Sequence, residues 1–171
     1  WEDWANGQII VAGAVDQSSN IAEFSHRAGA VGKNVYLDAG GDSILTLGTD
    51  GNYFYYSGTS FAAPHISVAA ALLFSAFPNL TGKEVADLLF DTATDLGSTG
   101  ADAIYGRGLV NIEEAFKPKG ASSITVRNFS GDVMAVDVNS SALLGGNAFG
   151  GFAGFSEAGN NSMMVDGYNR A

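Results

Sequence analysis

Ala62, Ala63, Ile66, Ala69, Ala70, Leu72, Leu73, Ala76 and Phe77 follow one another at helical spacing, with scarcely a polar side left between them. A helix apolar almost all round belongs inside a protein, covered by other layers rather than lying on the surface. Pro78-Asn79 stops it. It is opened by Gly58-Thr59-Ser60-Phe61-Ala62-Ala63-Pro64-His65, which sets one serine at a helix N-terminus. There the main-chain N–H groups lack helical partners and the helix dipole presents partial positive charge. Gly58 and Ala62 keep bulk away from Ser60. Pro64 has no N–H, so the Ser60 carbonyl loses its usual helical donor. Two readings follow. Serine is a favoured helix cap, and on the bare Gly-Thr-Ser tripeptide capping is the commoner role. A nucleophilic serine needs the same exposure, a neighbouring base and a donor for the developing oxyanion. The G-x-S-x-G elbow is excluded, because position 62 is Ala.

The rest of the chain alternates in a way that favours an α/β fold. Gly7 to Asp16 reads as a short buried strand, β-branched and nearly all apolar, as in a parallel sheet covered on both faces. Gln17-Ser18-Ser19-Asn20 is turn chemistry, and Phe24 to Gly29 a polar loop. Asn34 to Ala39 is a second strand, broken by Gly40-Gly41. Ile44 to Leu47 and the aromatic Asn52 to Tyr56 are extended on either side of Gly48-Thr49-Asp50-Gly51. Thr81-Gly82-Lys83-Glu84 has the form of a capping box. It opens a helix that carries Val85, Leu88, Leu89 and Thr92 on one face, with Gly97 expected to end it. Asn111 caps a short helix to about Phe116. Composition then shifts. Ser123 to Val126 and Val133 to Val138 read as strands around an Asn128 to Asp132 turn, and Gly145 to Gly159 is rich in Gly, Ala and Phe.

Hydrophobic residues make up 46% of the 171, enough for a core, which excludes wholesale disorder. The net charge of −10 without a basic patch makes nucleic acid a poor partner. No cysteine is present, so disulfides and thiolate metal sites are excluded. No apolar run is expected to span a bilayer. No charged leader precedes an apolar stretch, and the start at Trp1 suggests a chain cut or processed from something longer.

The stretch from Gly58 to His65 closely resembles the nucleophile motif G-T-S-x-A-x-P-H of subtilisin-like serine peptidases. Val11 to Asp16, Ile21 to Ser25, Ala71-Leu72-Leu73, Phe77 to Thr81, Thr92-Ala93 and Tyr105 to Asn111 resemble further segments of that family, in its order. The resemblance covers roughly residues 7–117. Ser25 to Gly29, Phe77 to Gly82, Ala148-Phe149-Gly150 and Val165 to Arg170 look closest to the family's autotransporter branch.

The resemblance implies the C-terminal part of a subtilisin-like parallel-sheet α/β domain over residues 1–118, then a Gly-rich linker or post-catalytic segment, β or irregular, over 119–171. It implies Ser60 as the catalytic nucleophile, its N–H as an oxyanion donor, and Phe61, with Tyr56 and Ser57 nearby, on the leaving-group side. The family's order is Asp, His, Ser, so its acid, base and oxyanion Asn belong upstream of Trp1. His26 is read as an exposed loop residue and His65 as a supporting one. Asp16, Asp38 and Asp42 are read as turn or loop carboxylates, and Arg107 as a loop anchor. Val68 stands where the family usually has Gly, and Gly40 where it usually has Pro. Implied partners are protein or peptide substrates, and in the autotransporter branch an outer-membrane β-barrel further along the same polypeptide, at the bacterial cell surface or outside it. No cofactor is implied. Members often bind structural calcium, but no residue here places it. The alternative is a non-catalytic fragment or pseudo-enzyme that serves as a surface passenger or assembly module.

Overall fold

Val11-Ala12-Gly13-Ala14-Val15 forms β1, a strand that turns from half-open at Val11 to fully buried at its C-terminal end. The computed structural model describes residues 5–127, 133–137, 164–168 and 170. They fall into two compact units, 1–116 and 117–171.

In the first unit β1 pairs in parallel with β2, Tyr36–Gly40, in a register running from Val11 opposite Tyr36 to Val15 opposite Gly40. The crossover between them carries a short helix, α1 (Gly29–Gly32), which starts at the last residue of the segment read as a polar loop. Ser25 in that loop is buried, because its hydroxyl accepts the Ala14 N–H (3.0 Å) and donates to the His26 carbonyl (3.1 Å). The other edge of β2 is taken by the segment after Tyr105. Arg107 N–H donates to the Tyr36 carbonyl, Asp38 N–H to Gly108 and Val110 N–H to Asp38, all within 2.9 Å.

β3 (Ile44–Leu47) and β4 (Tyr53–Tyr56) make an antiparallel hairpin in which Ile44 faces Tyr56 and Leu47 faces Tyr53. α2 follows at once, spanning Thr59–Ala76, and packs on β1 and β2. Its buried positions are Ala62, Ile66, Ala69 and Leu73, a single stripe at three- and four-residue spacing. This corrects the expectation of a helix covered all round: Val68, Leu72 and Phe74 are exposed, since among the described residues the sheet beneath offers β1 and β2 to cover it. By length and composition alone α2 passes for a membrane span. Its packing on the sheet makes it the core helix of an α/β layer instead.

α3 (Gly82–Asp91) begins with the capping box that the sequence predicts. Thr81 N–H donates to Glu84 Oε2 at 2.7 Å, and the Glu84 N–H returns to Thr81 Oγ1 at 3.3 Å. The helix ends at Asp91 and not at Gly97. Thr92 turns both its N–H and its hydroxyl onto the Leu88 carbonyl, and the chain then leaves to pair Thr94 with Leu109. α4 (Ile112–Phe116) is capped by Asn111, whose Oδ1 accepts the Glu114 N–H at 2.9 Å. Phe77 and Phe116 bring their rings to 5.6 Å, where α3 and α4 pack against α2.

In the second unit β5 (Ser123–Arg127) pairs antiparallel with β6 (Val133–Asp137) and with β7 (Met164–Val165). Its ends are clasped by Asp166. That carboxylate accepts the N–H groups of Lys119, Tyr168 and Arg170 and pairs with the buried Arg170 guanidinium, which also donates to the Lys117 carbonyl. The Asn128 to Asp132 turn and the Gly145 to Gly159 stretch lie outside the described residues.

Candidate active site

Gly41 is where three elements meet. Its N–H donates to the Val15 carbonyl at the end of β1 (3.1 Å), and its carbonyl accepts the Gly58 N–H just before α2 (2.8 Å). A Cβ at Gly41 would sit 2.7 Å from the Ala14 Cβ and 2.9 Å from the Gly58 oxygen, so no other residue fits without moving the start of α2. The strand ends thereby set the place of the helix N-terminus.

Gly58 is the N-cap of α2 and Ser60 its second helical residue. Ser60 therefore does not cap the helix. It is exposed, and its hydroxyl has no hydrogen-bond partner among the described residues. The Phe61 N–H turns back to the Gly58 carbonyl (3.0 Å), whereas the N–H groups of Thr59 and Ser60 find no acceptor among the described residues. A free hydroxyl beside free N–H donors, at the positive end of an 18-residue helix, is a place where an attacking oxygen and a developing oxyanion can both be held. Pro64 lies inside the helix and leaves the Ser60 carbonyl without its usual donor.

His65 Nδ1 lies 2.9 Å from the Gly40 carbonyl and acts as donor there, tying α2 to the end of β2. Five residues on from Ser60, it does not share the serine's helical face. At His26 the main-chain carbonyl is engaged, by the hydroxyls of Tyr36 and Ser25. Tyr56 stacks on Phe61, with centroids 6.1 Å apart, and meets Phe54 edge-on at 6.2 Å, forming an aromatic ladder from β4 to the first turn of α2. Arg107 pairs with Asp91 (2.8 Å) and lies over the Phe90 ring, the anchoring role expected of it.

The three aspartates differ. Asp16 is a turn carboxylate that accepts the N–H groups of Ser18 and Asn20. Asp42 accepts the Ser57 hydroxyl at 2.5 Å across the base of the hairpin. Asp38 is corrected: it stands inside β2, wholly buried, with neither oxygen hydrogen-bonded among the described residues. Burial pushes its carboxyl up to about 7, and the charge of Asp102 adds to the effect. The Asp42–Ser57 contact was missed in the sequence. It is readable from the hairpin, since a register pairing Ile44 with Tyr56 continues to Ser43 opposite Ser57, which leaves Asp42 one residue from that pair. Among the described residues no three His, Cys, Asp or Glu side chains cluster as metal ligands.

The Subtilase family (peptidase S8) profile matches residues 3–108. The chain belongs to the subtilase family. Subtilisin DY of Bacillus licheniformis is 39% identical over 107 residues, which are 63% of this chain and 36% of that protein. Serotype-specific antigen 1 of Mannheimia haemolytica is 39% identical over 114 residues, 63% of this chain and 12% of the antigen. Among solved structures, patellamide maturation protease PatA aligns with a TM-score of 0.55 and 29% identity, over 64% of this subtilase chain and 42% of its own. MycP1 from the ESX-1 type VII secretion system aligns with a TM-score of 0.54 and 26% identity, over 64% of this chain and 30% of its own. The fold is accordingly that of a subtilisin-like α/β domain. This subtilase chain spans little more than a third of subtilisin DY and about an eighth of the antigen.

Proposed function

We propose that the intact protein is a serine endopeptidase acting on proteins or peptides through an acyl-enzyme on Ser60. The observation that carries this is the exposed Ser60 hydroxyl, without a partner among the described residues and beside its own N–H, which finds no acceptor among them, in a chain matched to the subtilase family. Ser60 Oγ attacks the scissile carbonyl carbon while a base takes its proton. The oxygen of that carbonyl, now negative, receives the Ser60 N–H. Collapse expels the amine, protonated by the same base, and leaves an ester on Ser60 that water then hydrolyses. The base, its orienting carboxylate and the second oxyanion donor come from a part of the protein that precedes Trp1. The peptidase portion runs over residues 1–118, and residues 119–171 form a post-catalytic linker or β segment. The protein acts outside the cell or at the cell surface, a reading that the likeness to a Mannheimia antigen supports, and the segments that resemble the autotransporter branch favour a membrane barrel further along.

A fluorophosphonate probe is expected to label Ser60 in the intact protein, and Ser60→Ala to abolish both labelling and peptide cleavage. Cleavage that survives Ser60→Ala would end this reading in favour of a non-catalytic passenger.

A further inference from the structure

We infer that Asp42 and Ser57 are positioning residues for Ser60, holding the strand that leads into α2 through a directed hydrogen-bond relay. The inference rests on the reading of Ser60 as the nucleophile. The chain leaves β2 through Gly41-Asp42-Ser43 and returns from β4 through Ser57-Gly58, so the two segments run side by side at the mouth of the hairpin. Three hydrogen bonds join them. Gly58 N–H donates to the Gly41 carbonyl (2.8 Å), Ser43 N–H to Ser57 Oγ (3.0 Å), and Ser57 Oγ–H to Asp42 Oδ1 (2.5 Å). The Ser57 hydroxyl thus accepts from one side and donates to the other, which fixes its rotor and its main chain together. The last bond has the length of a hydroxyl on an ionised carboxylate, a stronger class than neutral pairs.

Ser57 is three residues before Ser60 and one before Gly58, whose carbonyl in turn holds the Phe61 N–H. Ser43 takes a left-handed conformation, φ 55°, which turns its N–H toward Ser57. Asp42 is only partly buried and Ser57 is exposed, so the relay adds little burial to the fold. Its effect is on where Gly58 and the first turn of α2 sit. Displacements of this kind, without loss of any reacting group, slow an oriented attack. The relay also locks β4 and with it Tyr56, the aromatic face stacked on Phe61.

The test uses the intact protein and a fluorophosphonate probe, with the inactivation rate constant separated from reversible binding by varying probe concentration. Asp42→Ala and Ser57→Ala are expected to lower the rate constant about tenfold and to leave binding within about twofold. Asp42→Asn keeps an acceptor oxygen and is expected to recover most of the rate. Equal rates in the wild type and Asp42→Ala would overturn the inference, as would an Asp42→Asn rate as low as that of Asp42→Ala. Amide hydrogen exchange at Ser43 and Gly58 is read on the same variants. It is expected to quicken in Asp42→Ala and not in Asp42→Asn, and unchanged exchange in Asp42→Ala would overturn the relay. A wild type that resists the probe altogether sinks the Ser60 reading, and the exchange rates then judge the relay by itself.

Discussion

Asp38 lies at the middle of β2 with no solvent contact and, among the described residues, no hydrogen bond to either carboxylate oxygen. Its side chain shares the space over Gly13 with the Tyr36 hydroxyl, and a Cβ on Gly13 would run into both. A bare carboxylate there is costly, so the folded protein keeps the proton up to about pH 7, against 3.8 for the free group. The folded state therefore binds more protons than the unfolded chain between those two values. The stabilisation is complete below 3.8 and is lost as pH rises through 7, by about 4 kcal/mol at most. Asp38→Asn is expected to flatten this part of the stability profile of the intact protein, measured as denaturant midpoints at pH 5 and pH 8. If the midpoint still falls by the wild-type amount in the Asn variant, another group is responsible. The sequence could not reveal this carboxylate. An aspartate two residues before Gly40-Gly41 has the look of turn chemistry, and only the pairing of β2 on both edges encloses it.

Among the elements, α3 is the one whose start was most plainly written in the sequence. Its capping box depends on residues three apart, and both of its hydrogen bonds form. Thr81→Ala removes the acceptor for the Glu84 N–H and is expected to cost about 1 kcal/mol, read as a shift in the urea midpoint of the intact protein. A change within the error of the measurement would mean that packing of Val85, Leu88 and Leu89 alone holds the helix end. The other end was misread because Gly97, with φ 77°, has the conformation of a helix stop without serving as one. Thr92 closes the helix five residues earlier by a local side-chain bond that competes with the helical pattern. The extent of α2 was equally legible, since its apolar run and Pro78 bound it, but its environment was not. Composition says which residues prefer burial, and which of them are covered depends on the strands beneath. The Ser60 motif was legible as a motif. That Ser60 is the second helical residue rather than the cap follows from the Gly58–Gly41 bond, a contact between residues far apart in the chain.

At the scale of the molecule, the apolar surface left open follows a pattern. α2 exposes Val68 (57%), Leu72 (48%) and Phe74 (42%) on the sides away from its buried stripe, and the hairpin turns Leu45, Leu47, Tyr53 and Tyr55 outward. Among the described residues α2 is the helix that packs on β1, and the strand opens at Val11, although a parallel strand of this composition is normally covered along its length. The chain also spans only 36% of a subtilisin such as subtilisin DY. These surfaces are expected to belong to a core that needs further layers of the same domain. The 171 residues on their own are accordingly expected to bind a hydrophobic dye, to lack a native-like near-UV signal and to unfold without a sharp transition. Leu72 separates this account from a merely greasy surface. If α2 is covered in the intact protein, Leu72→Ala there costs roughly 2–5 kcal/mol, as a buried leucine does, while in the isolated chain it leaves the thermal profile unchanged and lowers dye binding. A sharp, reversible transition of the isolated chain would contradict the account, as would an intact protein indifferent to Leu72→Ala. Either result would mean that the open flank of α2 is part of the finished surface.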